Sequence, residues 1–113
     1  MTREFIRLPE FEKQCKYIGL CEDDVRAVEL ALLDNAAIGD IIKGTGGIRK
    51  VRISLPNRGK SGGARVIYID FAYYEKIYLI TVYSKSEKRD LSQAEKNELK
   101  GLVMALESEL GRK

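Results

Sequence analysis

The sequence predicts an α+β domain with the element order β-α-α-β-β-β-α, in which a mostly antiparallel, twisted sheet carries its helices on one face. Three observations lead there. Apolar residues recur at helical spacing in two N-terminal segments and again at the C-terminal end. From Ile48 onward the period switches to alternation, the signature of strands with one buried face. The alternating runs are separated by short connections, some rich in glycine and proline, which suit antiparallel neighbours. With 113 residues, 44% of them hydrophobic and 33% charged, the chain reads as one globular domain spanning 1–113. A domain of that size buries a core without help from disulfides or metal.

Taken in order, Thr2 to Leu8 reads as a short strand around Phe5 and Ile6. Pro9 suits the first turn of a helix, where its missing N–H costs nothing, and Phe11, Cys15 and Ile18 then repeat at helical spacing, to about Tyr17. Glu22, Asp23 and Asp24 place three acids against the positive end of a second helix, which runs to about Asn35 with Val25, Val28, Leu32 and Leu33 inward. Both helices are expected on one face of the sheet. Lys43 to Gly47 reads as a flexible loop. Beyond it Val51, Ile53 and Leu55 point one way, and Lys50, Arg52 and Ser54 the other. A basic turn, Pro56 to Gly63, leads into two strands, Ala64 to Phe71 and Lys76 to Tyr83, joined by a short connection at 72–75. Ser92-Gln93-Ala94-Glu95 forms a capping box for a last helix whose stripe is Leu99, Leu102, Val103, Leu106 and Leu110.

The net charge of +3 conceals a sharp asymmetry. Residues 1–42 hold five basic and nine acidic side chains, residues 43–89 eleven basic and three acidic, and residues 90–113 four basic and five acidic. Positive charge concentrated in the strand region is the footprint of a polyanion site. Other classes are disfavoured. No run approaches the roughly 18 apolar residues of a membrane span, and Arg3, Glu4 and Arg7 do not suit a secretory signal. Two cysteines without any histidine do not make a zinc site, so Cys15 and Cys21 are expected to be free thiols in a reducing cytoplasm.

The absence of histidine removes the commonest acid–base group near neutral pH. Asp70, Glu75 and Glu87 are the only carboxylates of the basic stretch and show no metal-binding spacing, so neither a metal nor another cofactor is expected. Lysine, arginine and tyrosine remain. Lys50 and Arg52 share the polar face of one strand, Arg65 begins the next, and Thr81, Tyr83 and Lys85 share a face of the third. If those strands are neighbours, they form a basic cleft with a phenol at its edge. RNA brings its own nucleophile, the 2′-hydroxyl, so such a cleft needs only to move protons and stabilise a charged phosphorane. Neither Gly44-Thr45-Gly46-Gly47 nor Gly59-Lys60-Ser61 leads into a helix, which argues against a nucleotide-binding P-loop. Tyr73 and Tyr74 could stack on bases, as could Tyr68 and Tyr78, whose positions suit the core better.

Three linked segments carry a resemblance to a known family. Asp40-Ile41-Ile42-Lys43-Gly44-Thr45-Gly46-Gly47-Ile48-Arg49-Lys50-Val51-Arg52, Gly59-Lys60-Ser61-Gly62-Gly63-Ala64-Arg65-Val66-Ile67-Tyr68, and the run from Ile77 through Tyr83 and Lys85 to Ser92 resemble the successive motifs of the HigB-like branch of the RelE/ParE toxin superfamily. The likeness runs from about Gly39 to Leu102; the first 38 residues share only the strand-helix-helix rhythm. The resemblance implies a ribosome-dependent endoribonuclease that cleaves mRNA, restrained by an antitoxin that commonly has a helix-turn-helix DNA-binding region. It implies Arg65 as the grip on the scissile phosphate, and Lys85 and Tyr83 as proton-transfer groups. Lys50, Arg52, Arg58, Lys60 and Lys88 would contact the RNA backbone or ribosomal RNA. Which of Lys85, Lys60 and Tyr83 is base and which is acid stays open. So do two other functions: a ParE-like inhibitor of DNA gyrase that cuts nothing, and a non-catalytic RNA-binding module.

Overall fold

The structure, a computed structural model, describes residues 2–55, 63–84, 87 and 90–112. Its elements are β1 (Glu4–Arg7), α1 (Pro9–Ile18), α2 (Glu22–Asp34), β2 (Asp40–Ile41), β3 (Arg49–Ser54), β4 (Gly63–Phe71), a 3-10 turn (Ala72–Tyr74), β5 (Lys76–Ser84) and α3 (Gln93–Leu110). The predicted order is present, with β2 as an addition. Five strands form one sheet in the order β1-β5-β4-β3-β2. All neighbours are antiparallel except β1, which runs parallel to β5. That parallel pairing is possible because two helices separate β1 from the rest of the sheet in sequence.

The α+β class and the mostly antiparallel sheet are as predicted, but the helices do not all lie on one face. Phe11 and Cys15 of α1 and Val25, Val28 and Leu32 of α2 pack with Ile53, Ala64, Val66, Tyr68, Ile77, Leu79 and Val82. Val103 and Leu110 of α3 pack with Ile67, Ile69, Phe71, Tyr78, Ile80 and Tyr83, which belong to the other face. The reason is in the strands. β4 and β5 carry buried apolar side chains on both faces, so both faces need a cover.

The ends of the elements explain the boundaries. Gly19 takes a left-handed conformation at the C-terminus of α1, and the following Leu20 N–H bonds to Cys15 O at 2.8 Å. Ser92 Oγ accepts from Glu95 N–H while the Glu95 carboxylate accepts from Ser92 N–H, so the predicted capping box opens α3. At the opposite edge Arg3 grips Asp70 through two parallel N–H···O bonds of 2.7 and 3.1 Å, tying the N-terminal strand to the end of β4.

The loop between β2 and β3 departs from the flexible segment expected for Lys43 to Gly47. The Thr45 side chain is fully buried: its hydroxyl donates to Ile42 O at 2.6 Å and accepts from Ile48 N–H. Ile42 N–H closes the loop onto Ile48 O. Gly46 has φ of +83°, and a Cβ there would lie 3.4 Å from Val103 of α3, so the loop also seats the helix.

Tyr68 is the most consequential polar side chain in the core. Its hydroxyl donates to Ala36 O at 2.7 Å and accepts from Gly39 N–H at 3.1 Å, pinning the link between α2 and β2. Burial pushes its phenol up from the ordinary range, so it stays neutral. Tyr68→Phe leaves both backbone groups unpaired and is expected to lower stability by about 1–3 kcal/mol. A urea unfolding curve with an unchanged midpoint would contradict this role.

Candidate RNA-binding cleft

Strand register decides which side chains meet. β3 pairs with β4 so that Arg52 lies opposite Arg65 and Lys50 opposite Ile67. β4 pairs with β5 so that Arg65 lies opposite Tyr83 and Ile67 opposite Thr81. Arg52, Arg65 and Tyr83 therefore form one row straight across three strands. Asp40, Lys50, Ile67 and Thr81 form the next row, since β2 places Asp40 opposite Lys50. Directly opposed side chains have Cβ atoms about 4.5–5.5 Å apart, so each row is a contiguous surface.

Tyr83 reaches that face only through an irregularity. Tyr68 pairs with Leu79, yet the preceding Ile67 pairs with Thr81, so Ile80 is an extra residue on β5. Unbroken alternation from Leu79 would place Tyr83 with α1 and α2 and turn Val82 toward Arg65. The bulge reverses this, as bulges commonly do when they re-aim a side chain.

Two adjoining concavities cover the site. One, of about 400 Å³, is lined by Asp40, Lys50, Val51, Arg52 and Arg65. The other, of about 310 Å³, is lined by Ile41, Ile42, Lys43, Lys50, Tyr83, Asp90, Leu91 and Lys96. Lys50 borders both. Lys50 and Arg52 are exposed and Arg65 is half-buried, whereas Tyr83 is only 4% exposed. The structure thus brings together Lys50, Arg52, Arg65 and Tyr83 from the predicted set. Arg58, Lys60, Lys85 and Lys88 lie outside the described residues.

Several cleft residues escaped the sequence reading. Asp40 sits on a two-residue strand, too short to leave a periodic signal. Asp90 arrives from the segment just before α3 and Lys96 from its N-terminal end, which leans over the second concavity. Lys43 was visible as positive charge, but its place beside Lys50 follows from the closed Thr45 loop. Arg49, by contrast, is used internally: its guanidinium donates to Gly39 O at 2.6 Å.

Among the described residues no three His, Cys, Asp or Glu side chains converge as metal ligands. Asp70 is held by Arg3, away from the cleft. Tyr68 and Tyr78 are core residues, as their positions suggested, while Tyr73 is exposed. No helix among the described residues is long and apolar enough to cross a membrane.

The fold is thus a small, antiparallel-centred α+β sheet that sets Arg52, Arg65 and Tyr83 in one row. The family described as the RelE toxin of the RelE/RelB toxin–antitoxin system matches residues 11–110, and the chain belongs to that family. The match begins within α1, so it takes in the helical segment for which only a shared rhythm was apparent. In fold the chain is similar to the E. coli toxin RelE, solved as an arginine-to-alanine double mutant in the free state. The TM-score is 0.53 and the identity 14%, over 76% of this chain and 86% of that one.

The two cysteines are free and differ sharply in environment. Cys15 lies on the buried face of α1, and burial raises its thiol to about 11, while Cys21 is exposed at the start of α2. A thiol reagent at pH 8 is expected to label Cys21 quickly and Cys15 only on unfolding. Because folding holds the Cys15 proton more tightly than the unfolded chain does, its contribution to stability falls as pH rises from about 9 toward 11. Two equally fast thiols would contradict the packing of α1.

Proposed function

We propose that this protein is the toxin of a type II toxin–antitoxin pair and a ribosome-dependent endoribonuclease that cuts mRNA during translation. The observation that carries the reading is the Arg52–Arg65–Tyr83 row, with Lys50 in the adjoining row of the same open face. An RNA phosphate seated there meets bidentate donors from below. The RNA's 2′-hydroxyl attacks the neighbouring phosphorus, and the cations stabilise the charge that develops on the non-bridging oxygens. Arg65 is the phosphate grip. Its half-buried place on the central strand restricts its freedom, which favours positioning. Tyr83 and Lys85 take part in proton transfer, and Lys50, Arg52, Arg58, Lys60 and Lys88 hold RNA backbone or ribosomal RNA. The scheme uses no cofactor. Assignment to the HigB-like branch rests on the three linked motifs.

The proposed partners are the translating ribosome with its mRNA and a cognate antitoxin with a helix-turn-helix region, all in the cytoplasm. An acidic antitoxin segment laid over the cationic row would compete with RNA directly. Such an interaction would weaken with salt, since exposed charges are screened beyond about 8–10 Å.

Arg65→Ala is expected to abolish growth arrest on expression while leaving the melting temperature close to wild type. Loss of one transition-state donor costs about 10²–10³ in rate. Full toxicity at matched expression would overturn the role of Arg65. A separate measurement tests the chemistry. Attack by the 2′-hydroxyl leaves a 2′,3′-cyclic phosphate or a 3′-phosphate, so fragments ending in a free 3′-hydroxyl, with 5′-phosphates on the downstream pieces, would contradict the mechanism. Inhibition of gyrase supercoiling without mRNA cleavage would replace the reading altogether.

A further inference from the structure

The proposed cleavage needs a group that is already a base at neutral pH. Lysine, arginine and the tyrosine phenol ordinarily titrate near or above about 10 and are protonated there, whereas a carboxylate, near about 4, is not. The chain has no histidine. Among the described residues two carboxylates line the adjoining concavities: Asp90 in the second, with Tyr83 and Lys96, and Asp40 in the first, set among Lys50, Arg52 and Arg65, the proposed phosphate grip.

The surroundings of Asp40 are built with unusual care for a strand of two exposed residues. Tyr68 bonds both to Ala36 O and to Gly39 N–H. Arg49 donates to Gly39 O at 2.6 Å. Gly39 itself has no room for a side chain: a Cβ would come within 2.8 Å of Lys50 O and 2.9 Å of the Tyr68 hydroxyl. A buried tyrosine, an arginine and a glycine thus converge on the residue before Asp40, and β2 contributes almost nothing apolar to the core in return. What they fix is the backbone that carries the Asp40 carboxylate, directly opposite Lys50 on the cationic face. A carboxylate there repels phosphate and weakens RNA binding. Such a residue is understandable if its work is chemical.

We propose that Asp40 is the general base of the reaction, an assignment that rests on the ribonuclease reading above. Its carboxylate takes the proton of the 2′-hydroxyl as the 2′-oxygen bonds to phosphorus. The bond from phosphorus to the 5′-oxygen then breaks, and that oxygen takes a proton from the Tyr83 phenol. Exchange with water returns Asp40 to the carboxylate and Tyr83 to the phenol, so protons balance over the cycle.

The test uses the full-length protein with programmed ribosomes and follows mRNA cleavage as a function of pH. Asp40→Asn keeps the size of the side chain and removes the base. The expected result is a fall in kcat of about 10²–10⁴-fold, with ribosome affinity unchanged or tighter because a negative charge has gone. Wild type should show an acid limb in its pH–rate profile, and that limb should vanish in Asp40→Asn. Asp40→Glu should recover part of the rate and keep the limb. Arg65→Ala should also lower the rate but keep the acid limb, which separates the two roles. A wild-type rate in Asp40→Asn, or an acid limb that persists in it, overturns the assignment and leaves the ribonuclease reading intact. If the wild-type protein cleaves no mRNA, the ribonuclease reading fails and this assignment fails with it. An equal loss in Asp40→Asn and Asp40→Glu, without any change in the pH profile of the residual activity, makes Asp40 structural and overturns the proposal.

Discussion

Everything at the candidate site depends on β4 being hydrogen-bonded on both sides. As the central strand it takes its register from β3 and β5 at once, and that double pairing sets Arg52, Arg65 and Tyr83 in a line. A slip of one residue on either side would send every side chain of the slipped strand to the opposite face. Apolar residues on both faces of β4 resist such a slip, because each face is matched to its own helical cover. The geometry of the row is in this sense a by-product of core packing.

The two covers are unequal, and the inequality creates the cleft. α1 and α2 lie over one face along the length of the central strands. α3 buries Val103 and Leu110 on the other face, while Leu99, Leu102 and Leu106 are only partly covered. The uncovered part of that face carries Lys50, Arg52 and Arg65. The acidic α2 sits behind the sheet beside α1, so an imbalance spread along the sequence becomes a difference between the two sides of the molecule.

Fixing the edge of the sheet is a separate problem, solved with polar groups. β2 is too short to hold itself by backbone pairing, and both of its side chains are exposed. The buried Tyr68 hydroxyl, the Arg49 guanidinium and the close approach at Gly39 supply the order that apolar burial cannot. Thr45 does the same for the loop that follows, where a glycine-rich composition would otherwise suggest mobility. In both places one buried hydroxyl satisfies two backbone groups, an economical way to set a loop without enlarging the core.

Local periodicity alone determined a good deal: the helical repeats of Phe11 and Cys15 and of Val25, Val28 and Leu32, the alternation that separates Lys50 and Arg52 from Val51 and Ile53, and the capping box at Ser92. The concentration of basic residues in the strand region was legible as well, because charge and composition are properties of a segment and survive without coordinates. The tertiary structure decided the rest. It set α3 on the second face, made β1 parallel to β5, and brought Asp40, Asp90 and Lys96 to the cleft from segments that carry no basic excess. It also decided that Tyr83 faces Arg65, through a single extra residue at Ile80. Alternation fixes which residues of one strand share a face, but how the faces of different strands correspond is set by register, and register is a property of the pairing between strands.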